Sequence, residues 1–305
     1  TGIISTAEIS TGSRTWVNNL KMTMPGRSTL QRYFREMVQS GCTHAVVETS
    51  SEGLAQFRHL GIPYRVALFT NLAPEHLDAH GSFTAYRAAK GRRLRYVAAH
   101  GGTSVVNLDD AEASFFLRFP APRRIGYTLK GATNSSATET LAGEAREVTA
   151  NGFTLNVSGA TAEVPVGGYF NAENALAAVA ATTALGLSLE QSLHALTTFP
   201  GTPGRLEFIR AGQPFNVVVD YAHTPESLEA LYQALAPSGP LIAVLGSCGG
   251  GRDKAKRQPL GRLAGRYART VIVTNEDPYD EDPAAIMRSV ASGAREAGKQ
   301  EGTDL

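Results

Sequence analysis

A carboxylate, an imidazole and an amino group are spaced through one stretch of this sequence in a way that suits phosphate chemistry. The apolar run Ala45-Val46-Val47 ends in Glu48, and a second run, Val66 to Phe69, ends in Thr70-Asn71. The turn Glu75-His76-Leu77-Asp78 follows, and then a helical stretch that carries Lys90. Buried parallel strands read as short apolar runs, and α/β enzymes place their chemistry at the carboxyl ends of such strands. Glu48 there is an oxygen donor suited to Mg2+, which keeps several of its waters and bridges nucleotide phosphates. Histidine is an uncommon ligand for that ion. Lys90 as an ammonium binds no cation, so it would be carbamylated or act on phosphate directly. A solvated strand-end Glu, turn His and helical Lys would have the same spacing, which leaves both readings open.

Other segments carry weaker signals. Gly246–Asp253 (GSCGGGRD) has two glycines at the spacing of a Walker A loop, but Arg252-Asp253 stands where Lys-Ser/Thr belongs, so it is not an ATP loop of that kind. It follows a strand and is flanked by Lys254, Lys256 and Arg257, which suits an anion or a carboxylate, or simply a basic turn. Asp220-Tyr221-Ala222-His223-Thr224-Pro225 lies where a strand meets a helix N-terminus, a place that favours phosphate or ordinary capping by Thr224. Asn171 and Asn174 open a helix and could read a base or cap that helix. Arg205 stands between domains, where it reaches a phosphate or is solvated. His44, His59, His80, His100 and His194 read as structural or surface groups.

These side chains need elements to hold them. Leu30 to Val38 has helical periodicity and stops before Gly41. Strands are expected at Ala45–Val47, Val66–Phe69 and Ser104–Leu108, and the alternation with helices predicts a parallel α/β sheet. Over 124–166 the segments RIGYTL, GFTLNVSG and AEVPVGG, with Gly and Asn-Gly turn signals, predict antiparallel hairpins. Asn174–Leu185 and Leu189–Leu196 read as helices. The Pro- and Gly-rich segment 200–205 is the domain boundary, giving domains at 1–203 and 204–305. Beyond it the α/β rhythm restarts. Strands are expected at Phe215–Val219, Leu241–Leu245 and Thr270–Val273, and helices opening at Pro225 and Pro283, in a Rossmann-like arrangement.

Bulk properties set limits. A chain of 305 residues with 42% hydrophobic content supports two cores. A net charge of +1 gives no argument for a nucleic-acid or membrane partner. Cys42 and Cys248 fit no metal spacing, so a reducing cytoplasmic compartment is the default. No apolar run approaches the roughly 18–20 residues of a membrane span.

Taken in order, ETSSEGLAQFR, FTNLAPEHLDAHGSFTAYRAAK, NLDD, GYFNAENALAA, PGRLE, DYAHTPESL, GGGRDKAKR and TNEDP resemble the Mur ligases, along nearly the whole chain. Within that family they resemble the branch that adds the third amino acid of the peptidoglycan peptide. The resemblance implies a central ATPase domain, a mostly parallel sheet with helices and an antiparallel subsheet, followed by a Rossmann-like C-terminal domain. It implies ATP and Mg2+, with a UDP-MurNAc-dipeptide and a free amino acid as partners and a monomeric protein. By the same resemblance, Glu48 and His76 would bind Mg2+ and a carbamylated Lys90 would support a second ion. Thr23, Ser50, Gln56 and Arg58 would contact the UDP-MurNAc-dipeptide. Asn171 and Asn174 would lie near the adenine, and Arg205, Asp220 and His223 near ribose or phosphates. Arg252 and the Glu276-Asp277-Pro278 turn would receive the amino acid.

The sequence departs from the family pattern in places. The family's ATP loop, G-T-x-G-K-T/S, would stand just before Thr1, with a uridine-binding domain ahead of it and a further C-terminal end. The 305 residues alone are therefore expected to be inactive. Met24 follows Thr23 where the family usually has Thr, and Glu52 stands where it often has His. Glu276-Asp277-Pro278-Tyr279 replaces the Asp-Asn-Pro-Arg of diaminopimelate-adding members. An Arg there would clamp a free carboxylate bidentately and Tyr279 cannot, which favours L-lysine or another amino acid. Two competing readings are a relative of folylpolyglutamate or cyanophycin synthetases, and a non-catalytic nucleotide-binding subunit.

Overall fold

The computed structural model describes residues 1–20, 22–73, 80–250 and 254–305. The first sheet has the order β3-β2-β1-β4, formed by Gly2–Ile4 (β1), Glu8–Ser10 (β2), Thr15–Val17 (β3) and Ala45–Val47 (β4). β1 pairs antiparallel with β2 and parallel with β4, so that Ile3 faces Val46. Helix α1 (Arg27–Gln39) buries Leu30, Tyr33 and Met37 against Ile4, Ile9 and Met24. Its stripe follows helical spacing, and it ends at Ser40 and a left-handed Gly41. Strands β1 to β3 are not legible in the sequence, because at three residues each they are too short to show a period.

The second sheet runs β10-β9-β8-β7-β6-β5. Its strands are Val66–Phe69 (β5), Thr103–Asn107 (β6), Arg123–Thr128 (β7), Glu139–Arg146 (β8), Phe153–Val157 (β9) and Ala160–Val164 (β10). β5 to β8 are parallel, and β8, β9 and β10 are antiparallel. Helices cover both faces, which is why β6 is buried without alternation. Val106 packs towards Phe83–Ala99 (α3) and Ala113–Leu117 (α4) with Leu94, Val97 and Phe116. Its neighbour Val105 packs towards Tyr169–Ala184 (α5) and Leu189–Thr197 (α6) with Leu176, Val179 and Leu193.

One expectation is corrected here. The segment RIGYTL is not a hairpin arm: it is β7, parallel to strands on both sides. Its second parallel neighbour, β8, escapes sequence reading because its inward residues are Leu141, Gly143 and Ala145, two of them too small to mark a face. The antiparallel hairpins are β8–β9, whose connection carries Asn151-Gly152 as the turn signal predicts, and β9–β10, joined tightly by Ser158-Gly159, both left-handed.

After residue 204 come an antiparallel pair, Glu207–Ile209 (β11) with Val217–Val219 (β12), and a parallel pair, Leu241–Leu245 (β13) with Ala268–Val273 (β14). Helices Pro225–Leu235 (α7), Arg257–Tyr267 (α8) and Pro283–Glu296 (α9) share a core of Leu228, Leu231, Ala243, Leu260, Ala264, Val271 and Ala294. Thr224 caps α7 in a capping box with Ser227, and Pro225 stands at its first position, as the sequence predicts. Helix Ser51–Ala55 (α2) follows β4 directly.

Candidate functional site

Glu48 continues β4 and its amide donates to the Ile4 carbonyl oxygen at 2.8 Å. Its exposed carboxylate accepts from the Thr6 amide at 2.7 Å through Oε2. The Thr6 hydroxyl lies 2.8 Å from that of Thr23. Arg58 donates to the carbonyl oxygen of Met24, the next residue, and its guanidinium also donates to the Gln56 side chain. Thr23, Glu48, Gln56 and Arg58 are thus joined by one chain of contacts through Thr6 and Met24. Ser50 stands beside them as the N-cap of α2, its Oγ accepting from the Gly53 amide at 3.2 Å. Gly53 packs on Met24 with no room for a Cβ, which holds α2 against this patch.

Lys90 is half-buried on α3 with its ammonium 5.3 Å from the Tyr86 ring centroid. His80 leads into that helix, and its Nε2 lies 3.0 Å from Oγ of the buried Ser51, so α2 and the approach to α3 are tied together. His76 lies outside the described residues, and no group of three His, Cys, Asp or Glu poised for a metal occurs among the described ones. The donor chemistry nevertheless suits a hard cation: Glu48 presents carboxylate oxygen at a strand end, and Lys90 would present another once carbamylated.

A second group surrounds the 200–206 linker. Asn171 donates to the Gly167 carbonyl oxygen at 2.8 Å, and Asn174 to Asn171 Oδ1 at 3.4 Å, both from the first turns of α5. Glu173, between them, has its carboxyl pushed above the usual range by burial, with Asp109 and Asp110 adding to the effect against Lys130. Asp220 accepts from the Leu206 amide at 2.6 Å and the Ala222 amide at 2.7 Å. Arg205 lies over the Tyr221 ring at 4.8 Å, and His223 Nδ1 lies 3.0 Å from the Tyr221 carbonyl oxygen. Arg205, Asp220 and His223 are therefore gathered, and Asp220 holds the linker in place. Leu206 takes a left-handed φ of 47° there. Beneath the linker a cavity of about 620 Å³ is lined by Arg205, Arg210, Pro165 and Phe208.

The third group joins the loop 246–250 to the turn 276–281. Gly249 donates to the Asp277 carbonyl oxygen at 3.0 Å, and Cys248 Sγ to Glu276 Oε1 at 3.2 Å. Arg252 lies outside the described residues. Arg257, read from the sequence as one of the basic residues around an anion or carboxylate site, is instead buried and forms an ion pair behind both loops with the mostly buried Glu281, which carries no role in the sequence reading.

Residues 1–182 match the model of the Mur ligase middle domain, and residues 204–303 that of the Mur ligase, glutamate ligase domain. The chain belongs to the Mur ligase family. A UDP-N-acetylmuramyl-tripeptide synthetase from Roseiflexus sp. (strain RS-1) is 38% identical over 99% of this chain and 62% of its own length. A UDP-N-acetylmuramoyl-L-alanyl-D-glutamate--2,6-diaminopimelate ligase from Geobacillus kaustophilus (strain HTA426) is 37% identical over 98% of this chain and 62% of its own. A solved structure of a ligase with the latter name aligns over 99% of this chain and 61% of its own, with a TM-score of 0.63 and 29% identity. Mycobacterium tuberculosis folylpolyglutamate synthase complexed with ADP aligns with a TM-score of 0.66, over 86% of this chain and 59% of its own. At 20% identity that likeness is one of fold alone. This Mur ligase chain spans 62% of the length of the first two relatives. No helix among its described residues is long and apolar enough to cross a membrane.

Proposed function

We propose that these residues serve an ATP-dependent ligase that joins UDP-MurNAc-L-Ala-D-Glu to the amine of an amino acid in peptidoglycan synthesis. The observation that carries this reading is the Thr6 junction. It links Glu48, which would face the metal and phosphates, to Thr23 and so to the Arg58–Gln56 pair, which would face the dipeptide. The names of the relatives support the same substrate class.

In the proposed reaction the terminal carboxylate oxygen of the dipeptide attacks the γ-phosphorus of ATP, ADP departs, and an acyl phosphate forms. The amine nitrogen then attacks the acyl carbon, the C–O bond to phosphate breaks, and the nitrogen loses a proton. Such chemistry needs charge neutralisation and alignment more than a nucleophilic side chain. Mg2+, when bound, would neutralise the phosphates, held by Glu48, His76 and carbamylated Lys90. Arg58 would orient the dipeptide, the Asn171–Asn174 pair would meet the adenine, and Arg205, Asp220 and His223 the ribose and phosphates. The turn from Glu276 would take the amino acid, with Arg252. Tyr279 offers no fork to a second carboxylate, so L-lysine or another amino acid is favoured over meso-diaminopimelate.

The test is phosphate release by the full gene product that carries these residues. It would be supplied with ATP, Mg2+, UDP-MurNAc-L-Ala-D-Glu and a panel of amino acids, and the products read by mass spectrometry. Release that needs both substrates, with a UDP-MurNAc-tripeptide formed, is expected. Release with no amino acid on the panel, or none at all, would overturn the reading.

A further inference from the structure

Arg257 is placed where two electrostatic terms oppose it. It is 5% exposed, and it occupies the first turn of α8, the positive end of the helix dipole. A buried guanidinium is tolerated only when paired and hydrogen-bonded. The pairing is with Glu281: Nη1 lies 3.1 Å from Oε2, and Nη2 lies 3.1 Å from Oε1. Nη2 also donates to the Cys248 carbonyl oxygen at 3.3 Å. One side chain on α8 therefore grips the glycine loop and the turn that precedes α9.

The two loops touch along their backbones. A Cβ at Gly249 would run into the Pro278 carbonyl oxygen, and one at Gly250 would stand 2.7 Å from the Tyr279 ring, at a φ of +69° that favours glycine. Tyr279 itself is left-handed, with φ of 53°. Glu281 closes its turn by donating its amide to the Pro278 carbonyl oxygen at 3.0 Å. Lys254 reaches Glu281 at 3.0 Å from an exposed position, a contact screened by solvent. Arg257 is the member of the cluster that water does not reach.

We propose that Arg257 and Glu281 are positioning residues that clamp loop 246–250 onto turn 276–281 and thereby set the affinity for the incoming amino acid. The inference rests on the assignment of that turn to the amino acid under the proposed function. The pair touches neither substrate. It fixes the spacing between the Gly249 amide, the Glu276 carboxylate and Tyr279, and a shift of about 1 Å in such groups costs up to 10²-fold.

The experiment is steady-state ligation by the full gene product, with KM measured separately for ATP, the UDP-MurNAc-dipeptide and the accepted amino acid. Glu281→Gln is expected to raise KM for the amino acid at least about tenfold and to leave the other two within about twofold, with Glu281→Asp recovering part of the loss. Hydrogen exchange should quicken at the Gly249 amide and stay unchanged at Ala264 and Ala294. Gly249→Ala keeps both charges of the ion pair but forces the loops apart, its Cβ meeting the Pro278 carbonyl oxygen and standing 3.2 Å from Glu281 Oε1; it should give the same selective rise, so the idea remains testable if Glu281→Gln does not fold. Equal changes in all three KM values, or none, in the variants that fold would overturn the clamp. A wild-type protein that ligates no amino acid would instead overturn the functional reading on which it stands.

Discussion

Lys90 sits half-buried against Tyr86 on α3, and the proposed chemistry requires it to carry a carboxylate rather than an ammonium. Lys90→Ala in the full gene product should lower turnover by about 10²–10³, the size of the loss when one charge-stabilising group is removed from such a site. Added short carboxylates should restore part of it, because they replace the carbamate. Turnover that stays unchanged would take Lys90 out of the site, and loss without rescue would point to a direct contact with phosphate. The places of Glu48, at the end of β4, and of Lys90, on α3, are legible in the sequence because strand ends and helices can be read from local patterns, whereas their proposed roles come from the family resemblance. The contacts of Thr6, Arg257 and Glu281 are not legible, since their meaning lies in partners 42 and 24 residues away that only folding supplies. His80 was legible as a residue but not as a link, its Ser51 partner lying 29 positions back. Asp220 is a different case. The resemblance implies a group near ribose or phosphates, and the fold adds a bracing role that the sequence does not show, one oxygen accepting from the Leu206 amide at the linker and the other from the Ala222 amide.

The elements divide by the strength of their local signal. Strands Ala45–Val47 and Val66–Phe69 match the sequence reading residue for residue, because each is a continuous apolar run; Val66–Phe69 is covered as such a run predicts, whereas Val46 in Ala45–Val47 is left exposed. Helix α8 was missed: its sequence, RQPLGRLAGRY, holds a proline and two glycines, all poor helix signals. Pro259 falls in the first turn, where no intrahelical N–H is needed. The glycines answer to packing. A Cβ on Gly261 would strike the Val290 carbonyl oxygen across the α8–α9 crossing, and one on Gly293 the Gln258 carbonyl oxygen. Alanine in an exposed helix interior is better than glycine by about 1 kcal/mol, so propensity alone predicts that Gly293→Ala stabilises. Packing predicts the opposite, since overfilling a close crossing costs about 1–3 kcal/mol or more. The expected result is a lower urea midpoint with loss of α8–α9 contact. A raised midpoint would mean that the helices do not approach as closely as the structure has them.

At the scale of the whole molecule, the question is how a ligand held by one half is felt in the other. Two contacts offer a route. Leu206, buried at the linker, is part of the core that contains Leu228, Leu231 and Tyr232, and its amide is bound by Asp220. Phe170 stands on the first turn of α5, next to Asn171, and its ring packs against that same second core. The residues proposed to meet the adenine and the core of the second half are thus neighbours on one helical turn. If ATP orders that turn, the order should pass through Phe170, because coupling needs packed groups whose arrangement both sites influence. ATP at a hundred times its dissociation constant contributes about 2.7 kcal/mol to whatever unfolds together with its site. In the wild-type gene product it should therefore slow amide exchange at Ala264 and Val290 in the second half, as well as at Leu176 in the first. Phe170→Ala should leave the effect at Leu176 and remove it from Ala264 and Val290. Exchange in the second half that ignores ATP in the wild type would mean that the halves are not coupled, and exchange that still responds in the variant would mean that they communicate through the linker or through shared ligand and not through this ring.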